Sequence, residues 1–576
     1  MKKQAVFILL FSILICSCSQ LLTPVKTSNS ISISPFELDK SADSTDVTSA
    51  TLEIILSGAN IYQKQEFSFD SEEFASLQEN GKEITFDEVK FGNPLTVYAQ
   101  LKVTDSTKIT IYYGTKFFTP NEDTTIQLKL SLSSTIPNII IPECDYFYNI
   151  ANPASTDAEN KTYTLSDFFT NLPEELKKET GEEIKKAKLM LTEDITLSSA
   201  ITIPQDAISV DYYFDLAGKT IKLKNTSGFS IEENENIHFY NGKFTVSEDE
   251  TTDNSQSMNI FDFSKGTISF NDITFKDFNN TLIHLTGQGE VHLNYCTIDN
   301  CVLSSNSLIK LEEDTSTPGA SGTLKLETTN FTDSYSESAP LISAKGTVTA
   351  EDSTFSLNLD ELKNSQSMAS GYIFELKDYS SLTLTNCNLK GLLIDPEQED
   401  NTEPENRNYA VKLSANSALV LDNSTLEATN AVDNTGFSED YSKQSLVYLK
   451  DRALIKGNVL LDAFNIVDEQ TNTVKYTGFC RIGTKNACKP QEIDILLLSE
   501  FDQSLLKTSS IFLTKDIFSG FITNYSDFVL YNNGNGPVDA DSFDSVSSMG
   551  NYSIKMNDAS TYSLSNKGWI TVNSAN

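Results

Sequence analysis

Two aspartates raise the first chemical question. Asp277 and Asp333 stand at the same slot of a recurring phrase, two repeats apart, and Asn300 holds that slot in the repeat between them. Paired carboxylates on either side of a sugar bond are the machinery of glycoside hydrolysis, set ~5–5.5 Å apart in retaining enzymes. Stacked strands lie ~4.8 Å apart, so a pile of repeats can bring carboxylates to such distances. Asp272 and Asp352 share outward columns of the same kind. The competing reading is that all four are solvated turn residues.

Other chemistry is sparse. The histidines are His238, His284 and His292. There is no His-Glu-x-x-His pair, no phosphate-cradling glycine loop, no Gly-x-Ser-x-Gly elbow and no EF-hand loop. No metal site and no cofactor is expected; Ca²⁺ is compatible with the acidity of the chain but nothing requires it. His284 and His292 flank a turn, where a structural or exposed role competes with a metal or base role. Cys480 and Cys488 could close a small disulfide in an oxidising compartment. Tyr212, Tyr240, Tyr295, Tyr335 and Tyr379 could form a sugar-stacking surface, but their registers differ and scattered surface residues are the expectation. The formal net charge is -37, from 80 acidic and 43 basic residues. The arginines are Arg407, Arg452 and Arg481. A nucleic-acid partner is excluded on that balance, since phosphate neutralisation needs a basic surface.

The elements that must position these residues come from one phrase: two apolar residues flank an outward one, and a further apolar residue follows five positions later. It runs from Phe214-x-Leu216…Ile221 through Val291-x-Leu293…Ile298 and Leu324-x-Leu326…Phe331 to Ala453-x-Ile455…Leu460, nine times in all. The second anchors are spaced by 23, 31, 23, 33, 24, 34, 37 and 34 residues. Period-two alternation is a strand signal. A fixed inner spacing with a variable outer one indicates a solenoid whose loops differ in length. Further pairs lie upstream (Ile283-x-Leu285, Ile309-x-Leu311, Phe374-x-Leu376, Val411-x-Leu413, Val447-x-Leu449), giving three short strands per unit. Two positions before the last apolar residue lies a mostly small slot that includes Gly242, Cys296, Thr329, Ser353, Cys387 and Ser424, suited to a tight corner.

The chain opens with Lys2 and Lys3, an apolar run from Ala5 to Ile15, and Cys16-Ser17-Cys18, which reads as a signal peptide over 1–17. Residues 18–30 read as a Ser/Thr-rich tether, 31–133 as a small β-sandwich, 134–160 as a linker, and 161–188 as a helical cap, with a short amphipathic helix from Leu165 to Leu172 and Ser166 as its N-cap. Residues 189–465 read as the β-helix and 466–576 as a β-rich C-terminal region or cap. The predicted class is therefore all-β.

Two resemblances follow. The N-terminus is similar to a bacterial lipoprotein signal, which implies cleavage before Cys18, its acylation as a lipid anchor, and a place in the cell envelope, with Ser19 favouring the outer membrane. The order Phe214-Asp-Leu216-Ala-Gly218-Lys-Thr-Ile221, then Tyr240-Asn241-Gly242, resembles the opening coils of right-handed parallel β-helix proteins of the pectate-lyase-like superfamily. Polysaccharide lyases of that superfamily imply clustered Asp with Ca²⁺ and a basic residue; Arg407 and Arg452 stand in different registers here, and the motif set of the hydrolases is absent. The expected function is binding or adhesion to a protein or glycan, with loops at Glu312–Ser321 and Glu397–Asn408 on display. A polysaccharide lyase or glycoside hydrolase and a purely structural envelope component are the alternatives.

Overall fold

A computed structural model describes residues 31–497 with interruptions, the longest at 247–258, 358–371 and 394–407, and beyond them only short strands between Leu513 and Asn573. Cys18, Cys480, Cys488 and Arg407 lie outside the described residues, as do half of the loop Glu312–Ser321 and nearly all of the loop Glu397–Asn408.

The middle of the chain is a parallel β-helix. One coil shows its plan: Glu290–Asn294 lies on face A, Thr297–Asp299 on face B and Ile309–Glu312 on face C. Each strand pairs in parallel with its counterpart one coil on, Val291 with Leu324, Ile298 with Phe331 and Ile309 with Ile342. Such pairings join 31 strands into one sheet among the described residues. The inward positions fill the interior: Phe275, Ile298 and Phe331 are adjacent in register and essentially inaccessible. Rings stack along the axis, as with Phe239 on Phe270 at 5.3 Å and Phe229 on Phe261 at 5.2 Å between centroids. Each full burial of such a side chain is worth ~1.5–3 kcal/mol, and only stacking of coils provides it.

The corner between faces A and B explains the fixed spacing. The residue two past the second anchor has positive φ at Asn241, Asp272, Tyr295, Thr328, Asp352, Asn386 and Asn423. The chain turns there, and the following small residue points inward and bonds backbone. Ser424 Oγ accepts from Cys387 N (2.9 Å) and donates toward Leu384 O (2.9 Å); Ser353 Oγ accepts from Thr329 N (3.0 Å). Cys296 and Cys387 occupy the same slot as reduced, buried thiols whose pKa burial pushes up, that of Cys387 to about 11. Gly242 is glycine because a Cβ there would lie 2.3 Å from Leu216 Cβ.

Two of the nine phrases are out of register. Phe214, not Leu216, pairs with Phe239, because Ala217 and Gly218 make a longer turn in that coil. At the other end Leu449 aligns with Leu421, and Ile455 with Leu426. Val447-x-Leu449 therefore belongs to face A, and Leu460 leaves the interior column to pack with Tyr409. The coils also extend past both expected limits. Tyr146–Ile150, inside the expected linker, pairs with Lys185–Leu191, and Arg481–Lys485 and Glu492–Leu497 continue faces beyond residue 465. The helix Leu165–Thr170 is capped by Thr164 rather than Ser166, its side chain accepting from Asp167 N. Phe168 and Phe169 lie in the solenoid core, against Tyr148, Tyr212 and Phe214.

The N-terminal unit has seven strands in the order 61–70, 47–58, 95–105, 109–118, 124–133, 31–38, 84–86. Thr124–Ser133 serves two layers: Ile111–Tyr113 on one side and Ile31–Leu38 on the other. Leu52, Ile54 and Leu56 share a core with Ile126, Leu128 and Leu130 and with Phe74 and Leu77 of an unanticipated helix, Ser71–Asn80.

That unit docks on the outside of the first coils through enclosed polar groups. Lys188 Nζ lies 3.0 Å from Asp215 Oδ2 and donates to Ser57 Oγ at 3.0 Å. Thr96 donates to Asp215, and Asn241 donates to Tyr98 OH at 2.8 Å. Ile141 packs over Tyr213 and Tyr240.

Candidate binding groove

The outward positions of face A form columns along the solenoid axis. One runs Tyr213, His238, Ser269, His292, Lys325, Thr349, Thr383 in strict register. A second, two residues on, runs Asp215, Tyr240, Asn271, Asn294, Glu327, Glu351, Thr385. The early members are covered. Tyr213, Tyr240, Ser269 and Asn271 are buried, and Tyr213 stacks on His238 at 4.8 Å. Burial drives the His238 pKa down to about 4, while Ser269 Oγ sits 2.6 Å from its Nδ1.

From His292 onward the face opens. A cavity of about 340 Å³ lies between the columns, lined by His292, Asn294, Lys325, Glu327, Thr349, Glu351, Thr383 and Thr385 with Leu326 and Ala350 beside them. Strands place these groups: each is the outward member of an alternation whose inward members are core. Glu327 and Glu351 are directly paired across the ladder, so their backbones are ~4.8 Å apart. At the opposite edge Glu290 Oε2 receives Lys325 Nζ at 3.0 Å and His292 Nε2 at 2.9 Å. Those two contacts hold the Glu290 carboxyl below its ordinary range, the histidine hydrogen bond first. Asn294 donates to Asn271 Oδ1 at 2.9 Å. The groove thus offers hydroxyls and carboxylates, and its basic groups are already engaged.

Asp277 and Asp333 do share a slot, but at the corner between faces B and C and away from the groove. Asp277, Asn300 and Asp333 all have positive φ. Asn300 donates to Asp277 Oδ1 at 2.7 Å and stands in the coil between the two aspartates, which are two coils apart. Asp272 and Asp352 are corner residues on the A–B edge, with Tyr295 and Thr328 between them; burial raises the Asp272 pKa. The expected scatter of surface tyrosines is corrected too: Tyr212, Tyr240 and Tyr335 are buried, whereas Tyr379 is exposed. Arg452 is exposed on a turn.

The histidines part company. His284 faces outward on face C, bridging Asp262 Oδ1 and Glu312 Oε2 at 3.0 Å each. The hydrogen bond to Asp262 raises its pKa, and the same bond lowers that of Asp262. Among the described residues no group of three His, Cys, Asp or Glu side chains is arranged to hold a metal ion.

By architecture the chain is a parallel β-helix with a β domain docked on its first coils and an open polar groove beyond the docking site. No family model, no curated protein and no solved structure matches it. No helix among the described residues is long and apolar enough to cross a membrane.

Proposed function

We propose that this is a lipid-anchored protein of the bacterial cell envelope that acts by binding, and that its ligand is a glycan laid along face A. The observation that carries the reading is the groove beside Thr349 and Thr383: it is elongated across several coils and lined by hydroxyl, amide and carboxylate groups. Such groups match a ligand that presents many hydroxyls. Cys18 supplies the anchor in this reading, the outer membrane its location, and the docked N-terminal unit a spacer between tether and groove. The full acylated chain, displayed on vesicles over a panel of glycans, should retain specific glycans. Thr349→Arg fills the groove from an outward position and should abolish retention without altering the circular-dichroism spectrum. Retention untouched by Thr349→Arg, or no retention at all, overturns the reading.

One observation favours hydrolysis as the second reading. Glu327 and Glu351 are register neighbours within the groove, whereas Asp277 and Asp333 are not neighbours at all. Release of reducing ends that vanishes in both Glu327→Gln and Glu351→Gln would establish it; a retained glycan left intact over days would dismiss it.

A further inference from the structure

The N-terminal unit meets the first coils through a contact unlike either core it joins. Its own core, which includes Leu52, Phe74 and Leu128, is separate from that of the coils, and no hydrophobic cluster among the described residues spans the two. The hairpin of Leu95–Asp105 and Ile109–Phe118 lies lengthwise along face A. Thr96 and Phe117, paired in the hairpin, meet Asp215 and Gly218, and Tyr98 meets Asn241 one coil on. Lys188 and Asp215 both belong to the coils, so their attraction does not depend on the unit; docking encloses the pair and adds only Ser57 and Thr96 as partners. Enclosing an ion pair can cost more than its Coulomb energy returns. Asn241 Oδ1 is buried without a hydrogen-bond partner, which docking leaves uncompensated. A unit with its own core on a polar contact is one that moves against its neighbour. The pivot is Asp145, which donates to Lys186 O at 2.9 Å and accepts from Lys186 N at 2.8 Å. Upstream of it Ile141 and Cys144 lie over Tyr213 and Tyr240, close to Tyr62 of the unit.

We propose that the N-terminal unit is a movable cover. It leaves the first coils as one body, takes the chain up to Cys144 with it, and bares face A from Tyr213 through His238 to Ser269, in line with the open groove that starts at His292. The inference is independent of what the groove binds.

The test pulses the full chain with an amine-acetylating and a thiol-alkylating reagent at rising urea and reads the products by mass spectrometry. Lys188 reports departure of the unit, and Cys296, sealed in the solenoid core, reports unfolding of the coils. Expected is that Lys188 reacts through an opening smaller in free energy and less steeply dependent on urea than the exposure of Cys296, because undocking bares less surface than unfolding. Tyr98→Phe takes an acceptor from Asn241 in the docked state alone and should speed the reaction of Lys188 about tenfold while leaving Cys296 unchanged. Ethoxycarbonylation of His238 should rise with it, and the backbone amides of residues 52–56 should stay protected from hydrogen exchange. A shared urea dependence of Lys188 and Cys296, or a Lys188 rate unmoved by Tyr98→Phe, overturns the proposal and makes the docking permanent. Exchange of residues 52–56 in step with Lys188 overturns it too, because the unit then unfolds in place. His238 still shielded while Lys188 reacts also overturns it, because departure of the unit then bares no face.

Discussion

His238 makes the stability of this protein fall as the solution becomes mildly acidic. Its ring sits on face A under Tyr213, with Ser269 Oγ at 2.6 Å, and the charges that reach it are Asp211, which favours protonation, and His292, which opposes it. Burial outweighs both and takes its pKa from 6.5 to about 4. The unfolded chain therefore binds a proton that the folded chain refuses between those two values, and stability falls as pH falls through that window. The full difference of about 2.5 units corresponds to roughly 3 kcal/mol. Above pH 7 the contribution is complete, and below pH 4 it is gone. His238→Gln keeps a hydrogen-bonding group near Ser269 and removes the titration. Urea unfolding followed by circular dichroism from pH 7.5 to 4.5 should show a steeper loss in the parent than in the variant. A proton NMR titration of the three histidines gives the same quantity without unfolding anything. Parallel pH profiles for parent and variant, or a His238 resonance titrating near 6.5, would refute the reasoning.

Three further outcomes follow from other parts of the fold. His284 should behave with the opposite sign: its raised pKa means that the stability it shares with Asp262 and Glu312 is present below pH 6.5 and is lost as pH rises through the folded value, so His284→Gln should destabilise at pH 5.5 more than at pH 8.5. Removing one partner of the enclosed Lys188–Asp215 pair by Lys188→Met should lower stability by ~3–5 kcal/mol, whereas Lys188→Met with Asp215→Leu should recover much of it; limited proteolysis between the N-terminal unit and the coils reads the difference, and equal sensitivity of single and double variants would contradict it. Phe168→Asp with Phe169→Asp should lower the midpoint of thermal unfolding by many degrees, because each ring is buried in the solenoid core and loss of such a ring alone is worth ~3–5 kcal/mol; an unchanged midpoint would deny the helix its covering role.

The coils were legible in sequence because their corners are nearly rigid. A left-handed residue such as Tyr295, followed by an inward Cys296, fixes the path from Leu293 to Ile298 whatever happens in the loops. That is why Phe275, Ile298 and Phe331 could be aligned across gaps of unequal length. The rule failed where a corner departed from it. Ala217 and Gly218 lengthen the first turn, and the strand after Leu426 runs on through Asn434 and shifts register, so Ile455 fills the column to which the spacing alone points Leu460. The ends were missed for another reason. Tyr146–Ile150 lacks the phrase, and only its partner strand Lys185–Leu191 makes it a coil. The docking of the N-terminal unit rests on contacts such as Ser57 to Lys188, 131 residues apart, which no local pattern announces.

The groove was half-legible, and the half that was hidden decides its chemistry. Glu327 and Glu351 each follow a second anchor, Leu326 and Ala350, so their adjacency is already written in the phrase. Asp and Asn instead mark the corners, where those residue types are selected for backbone conformation and not for reactivity. Outward strand positions carry no such constraint, so a carboxylate there is freer to reflect a ligand than one at Asp277. What the phrase cannot contain is which stretch of a column is open. Tyr213 and His238 share a column with Thr349 and Thr383, yet the former are packed beneath Ile141 and each other and the latter border a cavity. The difference is made by docking on the first coils, so moving the N-terminal unit would change how much of face A a ligand can reach without altering one residue of the groove.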